Sequence, residues 1–109
     1  VADEFENNRR KWQRKTVQLP AQYFIKAQST RHGECTIVNL SRGGAAALFP
    51  PNEPVTVKAP IFLGLFIPKT LERLTLRGEV IIKYKSGDGL LGGIQFESLL
   101  PEDLFAKLI

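Results

Sequence analysis

What the chain lacks narrows its class first. A single cysteine, Cys35, rules out an intrachain disulfide framework and any all-cysteine zinc site. There is also a single histidine, His32, so a closed zinc site would have to be completed by carboxylates, and no run of acids has metal-binding spacing. No long hydrophobic run exists. The longest mostly apolar stretch, residues 59–68, is far short of the ~20 residues of a membrane helix. No apolar run follows a basic N-terminus, as a signal peptide requires, so the expected compartment is the cytoplasm, with no membrane span. Methionine is absent, and a chain that opens on Val1 and closes on Ile109 reads as a domain cut from something longer. What is present, 109 residues with 43% hydrophobic and 24% charged, is the make-up of one globular domain rather than of a disordered chain.

Charge is unevenly placed. Residues 1–8 hold Asp3, Glu4 and Glu6 and no base, for −3, whereas residues 9–15 read Arg-Arg-Lys-Trp-Gln-Arg-Lys, five cations in seven positions. The other 94 residues hold ten bases and eight acids, so this one short segment carries most of the net +4. That placement points to a localised anionic partner. A nucleic acid polymer is not expected, because its binders more often spread bases over a whole face. The plainer alternative is a solvated basic arm.

Residues 1–15 lack a sustained apolar period and read as a flexible arm, with residues 16–109 as the folded domain. Val17, Leu19, Ala21, Tyr23 and Ile25 alternate along a first strand, where Pro20 calls for an edge position or a bulge. A polar connection around Gly33 leads to a buried strand over 35–40, and Ser41-Arg42-Gly43-Gly44 separates it from a third over 45–49. Pro50, Pro51 and Pro54 mark a loop. Residues 55–67 read as one or two strands interrupted at Pro60, and the apolar run 61–67 as a doubly buried strand, the favoured reading, or as an apolar patch for a partner or a dimer. Leu74, Leu76, Val80 and Ile82 predict a long half-buried strand, and residues 90–96 return beside it after a Gly87-Asp88-Gly89 turn. Pro101, Glu102 and Asp103 open a short helix with Leu104, Phe105 and Leu108 as its apolar stripe. Short strands at regular spacing indicate a small, mostly β barrel.

Catalytic constellations are missing, so no enzyme and no cofactor are expected. His32 lies in a turn, and Cys35 opens an apolar strand, where a free cysteine behaves as a small hydrophobe. Gly43-Gly44 lacks the lysine and strand-to-helix context of a phosphate-binding loop. Two short motifs remain. Arg10 and Arg14 form an Arg-xxx-Arg spacing preceded by Arg9, and Asn39, Ser41 and Gly44 form Asn-x-Ser-x-x-Gly at a strand exit. Each alone is weak, and the second is also ordinary turn chemistry in which Asn39 and Ser41 cap a turn and Gly44 relieves it. Their order, about 25 residues apart with one hairpin between, and the later Gly92-Gly93-Ile94-Gln95-Phe96 strand raise the signal.

With these motifs the sequence resembles the PilZ domain family, the bacterial receptors for cyclic di-GMP, over residues 9–109. The resemblance implies a six-stranded antiparallel β-barrel with a flexible N-terminal arm and a short C-terminal helix. It further implies that Arg10 and Arg14 hold guanine edges and phosphates, with Asn39, Ser41 and Gly44 on the barrel surface. The chemistry suits the ligand: an arginine fork bridges phosphate oxygens or the O6/N7 edge of guanine, and it stacks on bases. Asn39 and Ser41 alternate to one side, while Gly44 allows a positive φ or a close backbone approach to the ligand. Arg9 looks like the feature of members that bind a stacked pair of ligands. Trp12 either stacks on a guanine or anchors the arm. Arg42 either reaches a phosphate or stays in solvent, and Gly93 either admits the ligand to the barrel wall or marks a bulge. The expected role is a switch acting on an unknown partner or attached domain. A ligand-free adaptor is the alternative. An OB-like binder of single-stranded nucleic acid is less favoured, since it needs exposed aromatics and most phenylalanines look buried.

Overall fold

Stretches of alternating apolar and polar residues become strands in the computed structural model, which describes residues 14–25, 33–51 and 55–109. The strands are β1 (Lys15–Ile25), β2 (Gly33–Leu40), β3 (Gly44–Phe49), β4 (Pro60–Phe66), β5 (Arg73–Ser86) and β6 (Gly89–Phe96), followed by one helix, α1 (Glu102–Leu108). All neighbours pair antiparallel, and the ring closes in the order β1-β2-β3-β6-β5-β4. Closure removes sheet edges. One local edge survives: β4 pairs only with the Gln22–Ile25 part of β1, which leaves Pro20 bonded to β2 alone, where its missing N–H costs no second ladder bond.

The interior follows from the period of two. Leu19, Ala21, Tyr23 and Ile25 of β1 are buried, as are Cys35, Ile37 and Leu40 of β2 and Ala45, Ala47 and Phe49 of β3. Two rings meet edge to face at its centre, Tyr23 and Phe49, with centroids 4.8 Å apart. Each lies over a glycine: a Cβ on Gly33 would come within 2.6 Å of Tyr23, and one on Gly92 within 2.8 Å of Phe49. Leu100 and Leu108 are buried too, so the C-terminal segment packs on the barrel core through the predicted stripe, with Leu104 and Phe105 half-buried. Pro101 stands at the N-cap of α1, with Glu102 and Asp103 in the first turn and Lys107 in the last, charges that complement the helix dipole.

Four expectations need correction. Residues 55–59 form no strand. They are a turn in which Lys58 takes φ 73°, and the strand begins only at Pro60. The run 61–67 is not doubly buried: Ile61, Leu63, Leu65 and Ile67 face inward, but Phe62 and Gly64 are half-buried and Phe66 is 57% exposed. Six of the seven phenylalanines are described, and only Phe49 and Phe96 are buried, against the reading that most would be. In β5 the even-numbered face runs inward as far as Val80. A register slip between Val80 and Ile82 then turns Ile82 out to 53% exposure.

Candidate ligand-binding face

The β1–β2 pairing carries the second half of the first motif to the second. Lys15 is paired with Leu40 and Thr16 with Asn39, so Arg14, exposed and one step before Lys15, leaves the barrel at the level of Ser41. Residues 25 or more apart in sequence thus share one rim. Arg9, Arg10 and Trp12 lie outside the described residues, as do residues 1–13 of the expected arm and His32.

Asn39 is half-buried on the outer wall beside a slip in the β2–β3 register, between Ile37 and Asn39. Two consecutive β2 residues, Val38 and Asn39, are both half-buried there instead of alternating, which aims the amide out beside the rim. Across the wall Asn39 pairs with Ala46, and Ala46 with Gly93. The amide is therefore followed by a floor of two small residues. A Cβ on Gly93 would come within 2.8 Å of Ile82 Cγ2, and the slip in β5 lies directly across from it. The bulge thus lies in β5, opposite Gly93, and β6 itself runs unbroken against β3.

Ser41 is buried, and its hydroxyl closes its own turn: it donates to Gly44 O at 3.3 Å and accepts from Gly44 N–H at 3.2 Å. The Ser41 N–H also donates to Gly44 O, at 2.9 Å. The turn-capping account of Ser41 therefore holds. One hydroxyl lone pair is left, so toward a ligand Ser41 is an acceptor, suited to a guanine N–H. Gly44 has no positive φ, contrary to one expectation. Its requirement is steric, since a Cβ there would run into the backbone carbonyl oxygen of Ile94 on β6.

Arg42 is half-buried and tied to the C-terminal segment. Its Nε–H donates to Leu100 O at 2.6 Å and its Nη1 lies 3.4 Å from Glu102 Oε1, while Leu100 N–H donates back to Arg42 O at 2.8 Å. With Phe96 N–H donating to Gly43 O, the motif turn latches the C-terminal segment. Sequence reasoning missed this role, which depends on a partner 58 residues away. Cys35 is buried, and loss of hydration pushes its thiol up to about 12, which leaves it no thiolate for nucleophilic chemistry. Among the described residues no group of histidine, cysteine or carboxylates is placed to hold a metal.

A model of the PilZ domain family matches residues 8–109. The chain belongs to the PilZ domain family. That family is one of cyclic di-GMP receptors, regulatory binding domains rather than enzymes. Solved structures agree on the fold. The Bacillus subtilis inhibitor of motility, MotI/DgrA, superposes with a TM-score of 0.71 at 14% identity, covering 91% of this chain and 47% of its own. The PilZ domain of CeSA from a cellulose-synthesizing bacterium superposes with a TM-score of 0.62 at 18% identity, covering 87% and 90%. This PilZ domain thus spans about half the length of MotI. No curated protein sequence matches it significantly. No helix among its described residues is long and apolar enough to cross a membrane.

Proposed function

We propose that this PilZ domain is a bacterial, cytoplasmic receptor for cyclic di-GMP. In this reading Arg10 and Arg14 engage guanine edges and phosphates, with Asn39 and Ser41 reading a guanine from the barrel side and the Ala46–Gly93 floor beneath it. The observation that carries the reading is the β1–β2 register, which brings Arg14 to the rim that holds Asn39 and Ser41. Each charge-assisted bond contributes ~1.5–3 kcal/mol and micromolar affinity needs about 8, so three good bonds reach it and any ordering cost on binding calls for more. Arg9 adds the cation that lets a stacked pair of ligands, with four phosphates in place of two, be held by one domain. Binding then changes a surface seen by a partner or an attached domain.

Calorimetric titration of cyclic di-GMP tests this. Micromolar or tighter binding is expected for the wild type, weakened at least about 100-fold in Arg10→Ala with Arg14→Ala. A stoichiometry near two that drops to one in Arg9→Ala is expected for the pair. A wild type without affinity would sink the receptor reading and leave a protein-interaction adaptor.

A further inference from the structure

The barrel has a second outer face with a chemistry of its own. It is centred on β4, three strands from β3 in either direction round the ring, and so lies on the far side from the motif face. Cross-strand register sets Phe24, Phe62 and Arg77 in one row, and Phe66 beside Arg73 in another. The Phe24 and Phe62 rings stand 6.3 Å apart, and the Arg77 guanidinium lies 5.3 Å from the centroid of Phe62. Between the rows Gly64 leaves a gap, and the Arg73 guanidinium spans it, 3.4 Å from where a Cβ would stand. Phe62 and Phe66 are about 13 Å apart along the strand. Phe66 is 57% exposed, and at the adjoining turn Leu71 is 71% exposed.

These rows hold aromatic rings and two arginines but no carboxylate. Glu72, Glu79 and Glu97 stand at the border, Glu97 at 3.6 Å from Arg77. An anionic partner with flat faces fits: bases stack on phenyl rings and guanidinium planes, and phosphates meet arginine. We propose that the face centred on β4 is a stacking platform for single-stranded nucleic acid, separate from the cyclic di-GMP face and independent of it. The OB-like reading was disfavoured because most phenylalanines looked buried, and three of them are on this wall.

The test is fluorescence anisotropy of labelled thymidine and uridine dodecamers with the full chain at about 50 mM salt, where phosphate contacts are strong. Saturable binding is expected. It should weaken about tenfold in Phe66→Ala, and by a similar factor for an abasic dodecamer of equal length. Phe62→Leu, which keeps an apolar side chain at the half-buried site, should also weaken it. An unchanged thermal midpoint shows each variant folded. Arg10→Ala with Arg14→Ala should keep the dependence on Phe66, and excess cyclic di-GMP should not displace the oligomer. Absent binding overturns the proposal, as does equal affinity for the abasic chain or full affinity in Phe66→Ala. Displacement by polyglutamate at matched charge would assign the face to an acidic polypeptide instead. Displacement by cyclic di-GMP would merge the two faces and overturn their separateness.

Discussion

Gly44 and Cys35 show how much single residues in the motif hairpin are set by their neighbours. A methyl group on Gly44 would run into the Ile94 carbonyl oxygen, and backbone paired on both sides has no room to give. Gly44→Ala is therefore expected to cost about 1–3 kcal/mol, read as a lower urea midpoint with an unchanged slope. An unaltered midpoint would show that the two strands can part. Cys35 has its thiol held protonated by burial, up to about 12 against an ordinary 9.0. The folded state thus keeps its proton where the unfolded chain loses it, so this contribution is intact below pH 9 and is lost as pH rises toward 12. Wild type should lose stability relative to Cys35→Ala across that window. The difference between the two chains isolates the thiol. Parallel stability curves would refute the buried-thiol account.

At the scale of elements, the strands were legible because burial alternates, and what was not legible depended on partners distant in sequence. Val17 to Ile25, the break at residues 41–43 and the helix stripe can all be read from local period and turn chemistry. The doubly buried reading of 61–67 failed because Phe62 and Phe66 are as apolar as Ile61 and Leu65. Only the ring of strands decides which side is core. The β5 slip and the Arg42 latch are tertiary, and no local signal marks them. Of the candidate site, Asn39, Ser41 and Gly44 could be identified as a motif, but Ser41's bonds to its own turn and Gly44's contact with β6 could not. Two variants probe these elements. Arg42→Ala should release Leu100 and Glu102 and speed hydrogen exchange throughout α1, with little change elsewhere. Unaltered exchange would mean that the segment is held by Leu100 and Leu108 burial alone. Leu71 occupies the left-handed region at φ 59° in the β4–β5 turn, with its N–H donating to Ile67 O at 2.7 Å. Asparagine tolerates that conformation far better than leucine, so Leu71→Asn should stabilise the fold by about 1 kcal/mol, seen as a thermal midpoint raised by several degrees.

Across the whole molecule, a closed ring makes the two outer faces properties of one rigid body, with β3 at the centre of one and β4 at the centre of the other. A ligand held by the folded barrel and ignored by the unfolded chain raises stability by mass action, wherever on the surface it sits. Cyclic di-GMP at 100 times its dissociation constant should therefore add about 2.7 kcal/mol. For a domain of this size that is a rise of roughly 10–20 °C in thermal midpoint. The faces predict opposite sensitivities. Arg10→Ala with Arg14→Ala should abolish the cyclic di-GMP shift, because those arginines supply its charge-assisted bonds. Phe66→Ala should leave it whole, because Phe66 is on the β4 wall and the rim is formed by β1, β2 and β3. The converse pattern should hold for a saturating thymidine dodecamer, whose shift should shrink in Phe66→Ala. A cyclic di-GMP shift that falls equally in both variants would mean that the two walls respond as one site, and the division of the barrel into separate faces would fail.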